Sequence, residues 1–184
     1  MKNFKNTSNS FGWVTISLHW VLAFALIGMY FLGDYMVDLD YYDQWYKSAP
    51  DIHRSIGVII GSLMLLRLLW NTFQTKPEHV GDDKPAVKLM AKSAHYILYA
   101  LVFVLVISGY LISTAKGQGV DVFGFFEVPA LLADNKDRGE LAGDIHEWIG
   151  LGFMGLVALH ALAALLHHFW HKDRTLKRML GIKK

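Results

Sequence analysis

Residues 145–170 read IHEWIGLGFMGLVALHALAALLHHFW, and this stretch decides the fold. It is long and apolar enough to cross a hydrocarbon core as a helix, yet it carries histidines at 146, 160, 167 and 168. An ionisable side chain inside a membrane span is costly, so each one marks a functional position by default. The fourteen residues from His146 to His160 amount to about 21 Å of helical rise, and at about 100° per residue the two rings return to within roughly 40° of one face. One helix thus offers two imidazoles on one side, one towards each leaflet. That layout suits two stacked metal centres inside a helix bundle.

The rest of the 184-residue chain repeats the pattern. Its composition, 53% hydrophobic and 18% charged, is segregated: apolar residues fill the blocks 13–32, 52–70, 94–113 and 145–170. Each block is near the length of about 20 residues that spans a bilayer. The expectation is an all-α membrane protein, a four-transmembrane-helix bundle in which residues 1–184 form a single domain. The first block is too long for a signal-peptide core and carries His19, so it reads as a retained span. Lys and Arg crowd both chain ends and the 71–93 loop, which places both termini in the cytoplasm. The outer segments, 33–51 and 114–144, carry most of the acidic residues. There is no cysteine, which excludes disulfides, iron–sulfur clusters and covalent haem attachment. The net charge of +2 gives no reason to expect a nucleic-acid partner.

Between the blocks the reading is coarser. The polar stretch KNFKNTSNSFG at 2–12 is expected to fray or to lie on the membrane surface. Gly33 and Asp34 are expected to end the first helix, and Pro50-Asp51 reads as a break followed by a helix cap. QTKPEHVGDDKPAVK at 74–88 reads as plain connection, in which His79 carries no signal. VFGFFEVPALL at 122–132 is apolar enough to lie along the interface.

Depth sorts the histidines. His53 opens the second span and His146 the fourth, both on the outer side; His19 and His160 lie in the cytoplasmic half. Two histidines from different helices at one depth can hold one iron from both faces of a porphyrin. The expected arrangement is therefore an outer haem between His53 and His146 and an inner haem between His19 and His160. A flat macrocycle against a helix needs a small residue on the ligand's face, and Ala23, Gly57, Gly150 and Ala164 stand four residues after the four candidates. His95 is followed at that distance by Tyr99 and reads as an interhelical hydrogen bonder, or as a contact to a propionate or a quinone. Arg54, beside an outer ligand, is a candidate propionate partner or anion attractor, or else a simple interfacial anchor. Arg67 and Lys172 read as interfacial anchors.

SLHW at 17–20, HRSIG at 53–57, HEWIGLGF at 146–153 and LHALAALLHHFW at 159–170, with HHFWHKD and TLKRML in the tail, resemble the bacterial cytochrome b561 family over essentially the whole chain. The resemblance implies a multi-pass protein of the bacterial inner membrane with two haem b groups ligated by paired histidines. In the superoxide oxidase branch it implies oxidation of periplasmic superoxide coupled to ubiquinone reduction. Arg54 would then serve the superoxide side, and His167, His168 and Trp170 would be the quinone contacts. A different class of function also fits: a di-haem membrane anchor that links a partner oxidoreductase, or a soluble cytochrome on the periplasmic side, to the quinone pool.

Overall fold

A computed structural model describes residues 3–78 and 84–182; His79 lies outside the described residues. The chain is mostly helical. Its elements are α1 (Trp13–Val37), α2 (Ser48–Thr72), α3 (Pro85–Ser113), β1 (Val120–Val122), β2 (Phe126–Val128), α4 (Lys136–Phe169) and α5 (Thr175–Met179). The first four α-helices are long and apolar enough to cross a membrane, where backbone polar groups have no water to bond and helix is the conformation that satisfies them within one segment. Phe24, Phe31, Leu65, Ile107 and Leu162 stand 53–67% exposed, an outward apolar surface suited to lipid rather than water.

The helices outrun their apolar blocks. α1 continues through Gly33 and Asp34 to Val37, where a break was expected. α2 begins at Ser48, so Pro50 sits inside its first turn, where a missing N–H costs nothing. α3 begins at Pro85, the favoured first helical position for proline, and takes in the end of what read as plain connection. α4 begins at Lys136 with Asn135 as its cap, the Asn135 Oδ1 accepting from the Arg138 amide at 2.8 Å. Hydropathy marks where the bilayer ends; caps mark where the helices end.

The chain divides into two compact units. One comprises Phe24–Ser62 and Tyr99–Met154 and contains the only two strands among the described residues. β1 and β2 pair antiparallel with Val122 opposite Phe126. Phe123 and Gly124 have φ of 51° and 72°, the paired positive values of a primed hairpin turn, and the Phe125 amide closes it on the Val122 carbonyl at 3.0 Å. Ser55 of α2 ties the hairpin down: its hydroxyl donates to the Asp121 carbonyl and accepts from the Phe123 amide, both at 3.2 Å. Val120 and Val122 are buried beneath. Of the segment expected to lie along the interface, residues 122–128 thus belong to a hairpin attached to α2.

The other unit comprises Met1–Ala23, Leu63–Leu98 and Gly155–Lys184. Its N-terminal segment does not fray. Asn6 Oδ1 accepts from the Gly12 amide and the Thr15 hydroxyl, each at 2.8 Å, while the Asn6 amide donates to Gln74 Oε1 at 3.0 Å. Phe4 packs edge-on against both Trp13 and Trp70. The tail is likewise fastened, the Trp20 indole donating to the Met179 carbonyl at 2.8 Å.

Close helix approach in the first unit is visible at Gly61, where a Cβ would stand 2.8 Å from Val106 Cγ1. Valine is stiff at χ1 in a helix and cannot swing away. Gly61→Ala is expected to destabilise the protein by about 1–3 kcal/mol through overpacking, and Val106→Ala in the same chain to recover most of that loss. Thermal unfolding in detergent measures both; unchanged stability in Gly61→Ala would contradict this contact.

Candidate functional site

In the unit built from Phe24–Ser62 and Tyr99–Met154, His53 of α2 and His146 of α4 face each other with ring centres 6.1 Å apart. Glycines make room for both rings. A Cβ on Gly33 would stand 3.3 Å from His53 Cε1, and one on Gly109 would stand 3.2 Å from His146 Cε1. The tautomer of His146 is set from α3. The Ser108 hydroxyl donates to the Val104 carbonyl at 2.7 Å, so its oxygen is left to accept from His146 Nδ1–H at 3.0 Å, and the lone pair falls on Nε2. His53 Nδ1 is buried with no hydrogen-bond partner among the described residues, an exception to the rule that buried polar atoms are satisfied.

In the other unit His19 of α1 and His160 of α4 stand 6.5 Å apart. His95 of α3 joins them, its ring centre 5.0 Å from His160 and nearly perpendicular to it at 86°, its Nδ1 donating to the Ala91 carbonyl at 2.6 Å. Arg67 is not merely an anchor: its guanidinium donates to His19 Nδ1 at 3.1 Å, since a guanidinium has no acceptor. With His19 Nδ1 accepting, the proton of the neutral ring falls on Nε2, the reverse of the tautomer at His146.

The two couples fit a metal between them. An imidazole nitrogen stands about 2 Å from a first-row metal such as zinc, and about 1 Å more from nitrogen to ring centre on each side gives axial rings about 6 Å apart. The observed 6.1 and 6.5 Å match that span; the 5.0 Å from His95 to His160 is shorter and makes His95 a neighbour of the couple. Among the described residues no group of three or more His, Cys, Asp or Glu side chains is placed to hold a metal ion. Each couple offers two imidazoles, and a porphyrin between them would supply the remaining four ligands of an iron. At Gly57 and Gly150, one turn beyond His53 and His146, a built Cβ would stand 3.9 Å from Met29 Cε and from Leu105 Cδ2, ordinary contact without crowding.

Two further places carry candidate residues. Arg54 pairs with Asp51 in an open cleft of about 390 Å³ lined also by Ser48, Ser55, Asp121 and Phe123. At the end of α4, His167 Nδ1 lies 2.6 Å from Asp173 Oδ2, with the His171 ring 5.1 Å away. Burial of Asp173 alone would raise its pKa, but hydrogen bonds from the Thr175 amide, His167 and the Thr175 hydroxyl outweigh it and hold the carboxyl below its usual range. His168 instead packs edge-on against Phe169, and its Nδ1 is buried without a hydrogen-bond partner among the described residues. Trp170 lies just past α4 and is 81% exposed.

The residues missed in the sequence are Gly33, Ser108, Gly109 and Arg67, which act on the histidines from other helices, and Asp173, which acts from the turn after α4. Ala23, Gly57, Gly150 and Ala164 lie on the histidines' own helices, whereas Gly33 and Gly109 clear the rings from other helices. ISG at 107–109 was the available signal, a hydroxyl and a glycine side by side within an apolar span.

The chain matches the family described as prokaryotic cytochrome b561 over residues 10–181. It is 43% identical over 179 residues to "Cytochrome b561 homolog 2" of Escherichia coli (strain K12), covering 97% of this chain and 95% of that protein. It is 33% identical over 143 residues to "Probable superoxide oxidase CybB" of Yersinia pestis, covering 78% and 79%, and 29% identical over 178 residues to "Cytochrome b561 homolog 1" of Escherichia coli (strain K12), covering 96% and 99%. With four membrane-spanning helices and a match along nearly its whole length, the chain belongs to the prokaryotic cytochrome b561 family, multi-pass proteins of the bacterial inner membrane that bind b-type haem and transfer electrons.

Proposed function

We propose that this chain holds two b-type haems, one between His53 and His146 and one between His19 and His160, and carries electrons from periplasmic superoxide to ubiquinone, with both termini in the cytoplasm. The observation that carries the reading is the presence of two opposed imidazole couples with ring centres 6.1 and 6.5 Å apart. A haem with both axial positions taken by histidine supplies one-electron transfer and has no open site for binding dioxygen. Two superoxide ions each give up one electron and leave as dioxygen; one quinone takes two electrons and two protons and leaves as quinol.

The chain's own residues divide the remaining work. Arg54, one residue from His53, offers a cation to an arriving anion at the cleft. Ser108 holds His146 in the tautomer of a ligand. His167, His168 and Trp170 are the quinone contacts, with a histidine giving protons to the quinone oxygens. The name of the Yersinia pestis relative, at 33% identity, supports the superoxide half of this reading.

The second reading, a di-haem anchor passing electrons between a partner protein and quinone, is favoured by the charge of the cleft. Asp51 matches Arg54, and Asp121 adds a further carboxylate to the lining. An acidic face suits a cationic soluble cytochrome better than an anion.

Three outcomes test the proposal. His53→Ala and His146→Ala should each leave one haem per chain by pyridine haemochrome assay, and His95→Ala should leave two; two haems in either of the first pair would refute the couple. Arg54→Gln should slow haem reduction by pulsed superoxide on the order of tenfold through lost steering. Added salt should slow the unsubstituted protein in the same direction. A protein with full haem content that ignores superoxide but is reduced by a cationic cytochrome is the anchor instead.

A further inference from the structure

We infer that Asp173 is the positioning residue that makes His167, rather than its neighbour His168, the proton donor to the quinone. The inference rests on the quinone reading above and deepens it, since that reading leaves the two adjacent histidines equivalent. Their surroundings are not. His167 Nδ1 meets the Asp173 carboxylate at 2.6 Å, the short distance of a charge-assisted bond. An ionised carboxylate only accepts, so His167 Nδ1 is the donor and its ring is fixed in orientation. Nε2 is then the nitrogen left for a ligand. His168 has no such support, its Nδ1 lacking any partner among the described residues.

The chain bends to make this contact. Lys172 adopts φ of 55°, a left-handed conformation unusual for a residue with a side chain and frequent at functional positions. That turn brings the Asp173 amide onto the His167 carbonyl at 3.1 Å while the carboxylate reaches the same residue's ring. The other carboxylate oxygen accepts from the Thr175 amide at 2.8 Å. Asp173 is therefore held at three points, with its side chain 8% exposed, while the His167 side chain remains 22% exposed. This is a carboxylate–imidazole couple in which the buried acid orients the ring and offsets the positive charge of its doubly protonated form, as the buried carboxylate does in hydrolase triads.

The proton step balances. The His167 Nε2–H bond breaks, an O–H bond forms on the quinone oxygen as the quinone is reduced by electrons from superoxide, and the neutral ring takes a new proton from water. Repeating the step supplies the second proton. Asp173 stays ionised throughout.

Asp173→Asn tests this, because the amide oxygen still caps Thr175 while the charge facing His167 is lost. The purified holoprotein, reduced in advance, is mixed with a water-soluble short-chain ubiquinone, and haem reoxidation is followed by stopped flow in H2O and D2O. Asp173→Asn should keep full haem content and an unchanged reduced spectrum, lose at least about tenfold in limiting rate with little change in half-saturating quinone, and show a larger solvent isotope effect. Asp173→Glu should recover most of the rate, and His168→Ala, which removes a quinone contact without a carboxylate behind it, should raise the half-saturating quinone while keeping the limiting rate within about twofold and the solvent isotope effect unchanged. A normal rate in Asp173→Asn would overturn the inference, as would a loss in His168→Ala equal to that in His167→Ala. Failure of quinone to oxidise the unsubstituted protein would instead overturn the quinone reading, and the inference with it.

Discussion

The structure depends on one constraint: an imidazole placed among apolar helices needs a partner, because lipid offers none. His53, His146, His19 and His160 sit in long helices that otherwise present aliphatic and aromatic surface. Unpartnered polar groups in such surroundings cost several kcal/mol (about 2–7 by transfer measurements). Bringing the rings into opposed couples resolves the cost only if something lies between them, since ring centres 6.1 and 6.5 Å apart are too distant for a direct hydrogen bond yet suited to a shared metal. The buried Nδ1 of His53, without a hydrogen-bond partner among the described residues, shows how little they do to satisfy that ring.

Packing around the rings follows from the same constraint. Gly33 and Gly109 are small because an imidazole carbon lies 3.3 and 3.2 Å from where each Cβ would be, tighter than ordinary van der Waals contact. Ser108 serves two neighbours at once, satisfying its own hydroxyl on the Val104 carbonyl and orienting His146. The two units differ in how they treat their rings. One sets a neutral hydroxyl against a histidine; the other sets a guanidinium against His19 and a third imidazole beside His160. The rings of the two couples therefore sit in unlike electrostatic surroundings, which would set apart the potentials of two haems held there as proposed.

Much of this was legible in the sequence, for reasons that can be named. The apolar blocks give the spans because the bilayer fixes a minimum length. The fourteen-residue interval from His146 to His160 gives their common face because helical geometry is nearly invariant. What the sequence hid is tertiary. The helix ends at Val37, Pro85 and Lys136 are set by caps and polar turns that hydropathy does not register. The 120–128 hairpin is too short and too aromatic to stand out from interfacial chain, and its attachment to Ser55 is a tertiary contact. Arg67 resembled an anchor because a cation near a span end usually is one; its reach to His19 is a contact between helices. Asp173 read as one more charge in a basic tail, and its bond to His167 depends on the left-handed turn at Lys172.

The central claim, that opposed histidines from separate helices clamp two irons in this one chain, is tested most directly by haem stoichiometry combined with low-temperature electron paramagnetic resonance of the oxidised, purified protein. The account requires two b-type haems per chain, each giving a low-spin signal of paired histidine ligands. A single haem per chain, or a high-spin signal of an iron with an open axial position in a substantial fraction of the protein, would contradict it.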